Sequence, residues 1–320
     1  MSSQLPSVTV IIPAKPGLRE ILALQAGLRL DYPREQLEII VARGRQPSAQ
    51  RNAALRQARG EIIYFLDDDS CPPPENLRRA AAHFADPAVK MVGGPNLCPP
   101  DAPPLEKVFA LVLASWLAFG PSRARYWPVG KTRASGEKEL ILCNLLARRA
   151  GLLELGGFNE ALYPNEENAL MDELQKRGGK LVYDPQLIVH RRPRRTLQAF
   201  ARMLVTYGRG RAEQFRVSPT FGSALNFVPP LFCAYLLALP LLALLGKMVF
   251  LPLACYALAL VWQALALIPL GGAARSLAAL PFIVLTHLLY GCGFGRGWFT
   301  RLKTEGDRTK VEVTLESVPL

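Results

Sequence analysis

The sequence predicts an α/β fold, a mostly parallel sheet flanked by helices, followed by C-terminal transmembrane helices. Three observations carry this. The first 190 residues alternate short β-branched runs with helical patterns, as expected of strands joined by crossover helices. Residues 221–300 form three apolar blocks whose only charges are Lys247, Arg275 and Arg296. Between the two regions, residues 191–216 place eight arginines against the single acid Glu213. Half of the 320 residues are hydrophobic and the net charge is +12. That apolar content excludes a largely disordered chain, and the apolar C-terminal third excludes a purely soluble one. Of the charge, 31 basic and 22 acidic residues precede position 221, a net +9.

Taken in order, Val8–Ile12 reads as a buried strand ending at Pro13, and Gly17–Leu30 has helical spacing of Leu and Ile. Glu38–Val41 is a second strand, and Ala49–Ala58 a helix closed by Gly60. Glu61–Leu66 is a third strand that runs straight into Asp67-Asp68-Asp69. Pro72–Pro74 cannot continue it and opens a helix over Glu75–Ala85. Ligands of such sheets sit beyond the strand C-termini, where the three aspartates fall. Leu105–Phe119 is apolar but short for a span. Because Arg123, Arg125, Tyr126 and Trp127 follow at once, it reads as a helix in the membrane interface rather than a buried one. Lys180–Val189 is a strand pair leading to His190.

This divides the chain into a catalytic-type domain (1–195), a basic juxtamembrane segment (196–222), a membrane region of about three helices (223–298) and a polar tail (299–320). The blocks Leu225–Leu245, Val249–Leu270 and Leu277–Phe294 approach or exceed the ~18–20 residues needed to cross. The arginine cluster places the N-terminal domain in the cytoplasm by the positive-inside rule, as a multi-pass inner-membrane protein, with an anionic-lipid contact for the cluster. No nucleic-acid module accompanies the basic run, so no nucleic-acid partner is expected. The tail conflicts with three spans, which would put Arg301, Lys303, Arg308 and Lys310 outside. Either one block is re-entrant, with Pro229, Pro230 and Pro240 marking the first, or the tail breaks the rule. The six cysteines are widely spaced with no C-x-x-C pair, which suits a reducing compartment. No secretory leader is expected, since no basic region precedes a long apolar stretch at the N-terminus.

Two acidic groups suggest chemistry. Asp67, Asp68 and Asp69 at the end of a buried strand repel one another unless a cation neutralises them, and oxygen-only ligands suit Mg²⁺ or Mn²⁺. The alternative is a surface turn or helix cap. Glu166-Glu167 follows Gly156-Gly157 and enters a helix, where a carboxylate could be a general base or simply a solvated helix N-terminus. His190 with Arg191-Arg192 could ligate a metal or contact phosphate.

In their order these pieces resemble the family-two glycosyltransferases with a GT-A fold. SVTVIIPAK is similar to that family's first strand. PSAQRNAALRQARGEIIYFLDDDS resembles its Arg-Asn helix, Gly-Glu turn and strand ending in D-x-D. LLARRAGLLELGGFNEALYPNEENALMDELQKRGGKLVYDPQLIVH resembles its acceptor segment, acidic base motif and closing strand with terminal His. The resemblance covers about residues 7–195. It implies a nucleotide-sugar donor, with Asp67 and Asp68 at the nucleotide sugar and Asp67 and Asp69 at a Mg²⁺ or Mn²⁺ ion that His190 assists. It also implies Glu167 as base beside Glu166, and Pro13, Ala14, Lys15 and Arg51 lining the nucleotide pocket. The expected reaction is inverting transfer of a single sugar to a lipid-linked or glycan acceptor at the membrane. The alternative is a catalytically silent scaffold of the same fold. Three positions depart from the family: Val41 is followed by Ala42-Arg43-Gly44 instead of an Asp, Lys15-Pro16-Gly17 lacks the usual acid, and the base is Glu rather than Asp. The Q-x-x-R-W signature of processive synthases is absent, since Gln198 and Arg202 have the wrong spacing and no Trp.

Overall fold

A computed structural model of the chain describes residues 5–160, 166–217, 219, 221–302 and 312–320. In chain order its elements are β1 (Val8–Ala14), α1 (Leu22–Gly27), β2 (Leu37–Arg43), α2 (Pro47–Gln57), β3 (Ile62–Leu66), α3 (Asn76–His83), β4 (Val89–Gly93) and β5 (Asn96–Leu97). There follow α4 (Pro104–Ala114), α5 (Trp116–Phe119), β6 (Arg133–Ser135), β7 (Asn144–Arg148), α6 (Arg149–Glu154), α7 (Glu166–Lys176), β8 (Lys180–Tyr183) and β9 (Val189–His190). The chain ends with α8 (Leu197–Val217), α9 (Val228–Leu242), α10 (Leu251–Gly271), α11 (Ala273–Phe299) and β10 (Thr314–Val318). Two compact units result. One holds Met1–Pro99, Ala124–Arg191 and Thr304–Leu320, the other Pro100–Arg123 and Arg192–Lys303.

The first unit is built on an eight-stranded sheet of order β10-β2-β1-β3-β7-β4-β8-β6. β1 lies parallel between β2 and β3, as strand–helix alternation requires, and β4 and β8 are also parallel. The sheet as a whole is mixed, because β7 runs against both β3 and β4, and β6 and β10 are antiparallel to their neighbours. No crossover helix joins β4 to β7, since the chain leaves the unit after Pro99 and returns at Ala124, so nothing imposes a parallel pairing there. Val10, Ile12, Ile39, Tyr64 and Leu66 face one apolar core and Ile11, Ile40, Ile63 and Phe65 the other. Burial on both faces explains why these strands read as unbroken apolar runs.

Several expectations change. The helix expected over Gly17–Leu30 is confined to α1, because the preceding loop is held open. Gly17 has φ +76° and Arg43 donates to the Leu18 carbonyl at 2.9 Å. The Lys180–Val189 pair separates at Asp184-Pro185 into β8 of the main sheet and β9, which pairs with β5. The tail is not merely a polar appendage, since β10 closes the sheet edge against β2.

Asp184, 1% exposed, ties β8 to α3. It accepts from Arg79 at 2.8 Å and from the Gln186 amide at 2.9 Å, and lies 3.0 Å from His83 Nε2. Burial alone would raise its carboxyl, but the bonds from His83, Gln186 and Arg79 hold it below the usual range. A carboxylate with a depressed folded pKa stabilises above its unfolded value, about 4, and that contribution is lost as pH falls through the folded value. The melting temperature of the detergent-purified chain should therefore drop on acidification below about pH 4. Asp184→Asn should flatten that acid limb, and an unchanged limb would show that other carboxylates set it.

In the second unit, the apolar run expected as one helix over Leu105–Phe119 is broken at Ser115, which is extended (φ −77°, ψ 138°). Its hydroxyl donates to Val112 O at 2.8 Å and accepts from the Ala118 amide at 3.2 Å. The helical stretches on either side, Pro104–Ala114 and Trp116–Arg125, are bent by 61°. The break frees the backbone of Leu117, and two buried side chains satisfy it. Gln263 of α10 accepts from the Leu117 amide at 2.9 Å, and His287 Nε2 of α11 lies 2.9 Å from its carbonyl. With Tyr256 Oη at 2.7 Å from Nδ1, the partners assign an Nε2–H donor to Leu117 and an Nδ1 acceptor to Tyr256. His287 is thus the clasp on this bend.

Candidate active site

Three consecutive residues of α2 organise the C-terminal edge of the sheet. Gln46 caps the helix by accepting from the Ala49 amide at 2.8 Å, with Pro47 at its first position. A helix turns 100° per residue, so Gln50, Arg51 and Asn52 reach three different targets. Gln50 donates to Ala14 O at 2.9 Å and Ala42 O at 2.5 Å, tying the ends of β1 and β2 together. Arg51 donates to Asp67 Oδ1 at 2.8 Å, and its other Nη lies 3.5 Å from Glu166 Oε1. Asn52 holds the loop before α7, donating to Phe158 O and Glu160 and accepting from the Phe158 amide at 2.8 Å. That loop needs Gly157. Its φ is +81° and a Cβ there would lie 2.4 Å from Asn52 Oδ1.

The aspartates leave β3 in a turn closed by Ser70 N–H to Asp67 O at 3.0 Å. A short bridge fixes what faces them. The amides of Cys71 and His190 each donate to the other's carbonyl, at 2.8 and 3.0 Å. Arg191, the next residue, thereby meets both carboxylates, with Nε 2.5 Å from Asp69 Oδ1 and Nη2 3.1 Å from Asp67 Oδ2. Burial would lower this guanidinium, but Asp67, Cys143 and Asp69 hold it well above its usual value, so it stays charged. Cys143 beside it is buried, its thiol pushed up to about 12, and is inert as a nucleophile. Burial, then Asp69 and Asp67, raise the carboxyl of Asp68, against the pull of Arg191 and Lys15. Glu166 opens α7 at 2% exposure. Burial raises its carboxyl and Arg51 opposes the rise. Glu167, next to it, is half-buried.

The structure thus brings Arg51, Asp67, Asp69 and Glu166 into one network with Arg191. Pro13 and Ala14 are buried at the end of β1 and Lys15 is exposed beyond them. His190 enters this region through its backbone. Among the described residues no group of three or more His, Cys, Asp or Glu is placed to hold a metal. The donor set still fits Mg²⁺ or Mn²⁺ in one way: the two hard carboxylates Asp67 and Asp69, completed by substrate phosphate oxygens. Sequence reasoning missed the roles of Gln50 and Asn52, and it missed the pairing of Arg191 with Asp67 and Asp69. The sequence places Arg191 both beside His190, as a phosphate contact, and in the basic run assigned to lipid, and neither reading points to the two aspartates 122 and 124 positions earlier. Arg125, read as an interfacial charge, instead donates to Glu137 O and to Asn168 Oδ1 on α7.

Residues 23–129 match the family model described as Glycosyl transferase family 2, a span that includes Arg51 and the three aspartates. Over that span the chain is similar to this family, and the chain as a whole has the GT-A fold followed by three apolar C-terminal helices. It is similar to the pre-mycofactocin glycosyltransferase of Mycobacterium tuberculosis (strains CDC 1551 / Oshkosh and H37Rv), 27% identical over 229 residues. The match covers 63% of this chain and 46% of the relative, so the chain spans about half the length of the curated relatives it matches. Among solved structures it resembles the mannosyltransferase PcManGT from Pyrobaculum calidifontis, in complex with GDP-Man and Mn²⁺. The TM-score is 0.60 at 19% identity, covering 93% of this chain and 88% of that one.

Proposed function

We propose that the chain is a membrane-bound glycosyltransferase that moves a single sugar, with inversion, from a nucleotide-sugar donor to a lipid-linked or other membrane-proximal acceptor. The observation that carries this is the Arg51–Asp67–Arg191–Asp69 network at the end of β3, in a domain similar to this family. Two carboxylates opposed by two arginines suit a diphosphate. The guanidiniums can turn to phosphate oxygens, and Asp67 and Asp69 would hold the Mg²⁺ or Mn²⁺ ion. When bound, that ion supplies Lewis-acid stabilisation of the leaving nucleoside diphosphate. Glu167 accepts the proton of the attacking hydroxyl, which approaches the anomeric carbon opposite the leaving group. Glu166, buried on Arg51, is a positioning residue. The three long apolar helices support attachment to a membrane and hence an acceptor presented there.

The test is thermal stabilisation of the detergent-purified chain by a panel of sugar nucleotides with Mn²⁺ or EDTA. One donor at 100 times its Kd should add about 2.7 kcal/mol, with Mn²⁺ only, and Asp69→Asn should abolish the gain. No response to any sugar nucleotide would overturn the reading in favour of a silent scaffold.

A further inference from the structure

The strand that closes the sheet limits what the preceding helices can do. β10 pairs with β2 at five positions, from Thr314–Arg43 to Val318–Ile39, and Arg43 Nε meets Glu316 at 2.6 Å. β2 precedes the apolar region and β10 follows it, yet one sheet lies on one side of a bilayer. The chain between β9 and β10 must therefore cross an even number of times. The same holds for the bent pair α4 and α5, since β4 before it and β7 after it are hydrogen-bonded neighbours. Ala224–Leu245, Lys247–Gly271 and Ala273–Phe299 are each long and apolar enough to span, but all three cannot do so.

The packing singles out α11. It lies against α8 through glycines that leave no room for a side chain. A Cβ on Gly208 would be 2.1 Å from Tyr290 O, and one on Gly293 would be 2.2 Å from Val205 O. On Gly297 it would be 2.4 Å from Arg209 O. Arg216 donates to Gly297 O at 3.0 Å and Thr300 O at 2.5 Å. The two helices thus run side by side in the same direction along Val205–Arg216. α8 carries Arg202, Arg209, Arg211 and Arg216, with Arg202 and Arg216 exposed. An arginine at the centre of a span costs about 2.5–3.5 kcal/mol, so α8 belongs among headgroups and takes the C-terminal end of α11, from Tyr290 to Phe299, with it. The other two helices show the opposite character. None of the most apolar window of Ala224–Leu245 and 17% of that of Lys247–Gly271 is buried, against 33% for α11. Around their turn at Gly246 (φ +119°), Leu244 and Met248 are 83% and 78% exposed.

We propose that Ala224–Leu245 and Lys247–Gly271 cross the bilayer as a hairpin turning at Gly246-Lys247, while α11 starts and ends on the near side: it dips against the hairpin at His287, which meets Tyr256 at 2.7 Å, and its C-terminal end returns beside α8 to the near-side headgroup layer and the sheet. This rests on the membrane-bound reading above. It removes the charge conflict, because Lys247 alone reaches the far side, while the 191–216 arginines, Arg275, Arg296 and Arg301 stay on the domain's side, as the positive-inside rule requires.

Introduced cysteines test it, one at a time, at Gln57→Cys (domain), Lys247→Cys, Arg275→Cys and Leu320→Cys, in the full chain with Cys71, Cys98, Cys233, Cys255 and Cys292 changed to Ser and only the buried Cys143 kept. They are read with a membrane-impermeant maleimide on sealed right-side-out and inside-out vesicles. Gln57→Cys, Arg275→Cys and Leu320→Cys should react from one side and Lys247→Cys from the other. Leu320→Cys opposite Gln57→Cys would overturn the even crossing. Arg275→Cys opposite Gln57→Cys would overturn the placement of α11, and Lys247→Cys on the domain's side would overturn the hairpin. Release of the chain by carbonate wash would instead defeat the membrane reading itself.

Discussion

Arg51→Met is expected to destabilise the protein by about 3–5 kcal/mol and to abolish transfer, because it removes the cation from a buried charge chain. The Arg51 side chain is 6% exposed, between Asp67 at 2.8 Å and Glu166 at 3.5 Å. Asp67 keeps a second partner in Arg191, but Glu166, at 3% side-chain exposure, has no other ion pair among the described residues. The variant therefore strands one buried carboxylate, and that carboxylate sets the pH dependence. Burial already raises the Glu166 carboxyl in the native protein, and loss of Arg51 raises it further. As pH falls Glu166 takes a proton, the unpaired charge disappears, and the stability deficit narrows. Melting of the detergent-purified variant should lag the parent most at alkaline pH and least near pH 5. Glu166→Gln should recover part of the loss in the Arg51→Met background while costing stability in the parent. A deficit independent of pH would place the effect in packing of the arginine stem instead.

What could be read from sequence followed the range of the interactions. β1, β2 and β3 were legible because both faces of each are buried, and the aspartate triplet because it continues the β3 run without a break. The parallel β2-β1-β3 portion of the sheet follows from the same local signal. The opposition of Asp67 and Asp69 to Arg191 was not legible. It spans 122 residues between Asp69 and Arg191 and is set by the Cys71–His190 bridge. Nor was the partnership of Arg51 with Glu166, 115 positions away. β10 escaped because its five residues hold only Leu315 and Val318 as apolar anchors, packed on opposite cores, in a segment whose charges suggest a solvated tail. The break at Ser115 escaped for a related reason. Nothing in LEKVFALVLASWLAF marks it, and the Gln263 and His287 that satisfy Leu117 lie 146 and 170 residues further on.

Glu167→Gln is expected to lower kcat for a hydroxyl acceptor by ~10²–10⁴, the usual worth of a positioned general base, while leaving donor binding and melting close to the parent. The contrast with Glu166 makes the assignment testable. Both carboxylates open α7 and both enjoy its dipole, but Glu166 is buried on Arg51 whereas Glu167 is half-buried and nearer solvent. A proton acceptor must reach the incoming hydroxyl, and a group buried on a guanidinium cannot do so without leaving its partner. Glu166→Gln should therefore act through the Arg51 network, weakening donor binding and shifting stability, and Glu167→Gln through the chemical step, lowering kcat with KM for donor unchanged. The acceptor adds a second axis. A phosphate oxygen is already ionised at neutral pH, so transfer to a lipid phosphate needs no base, and Glu167→Gln should reduce it only a few-fold. Assaying both acceptor classes with one variant separates proton abstraction from positioning: equal losses would make Glu167 a positioning residue, and loss confined to the hydroxyl would make it the base.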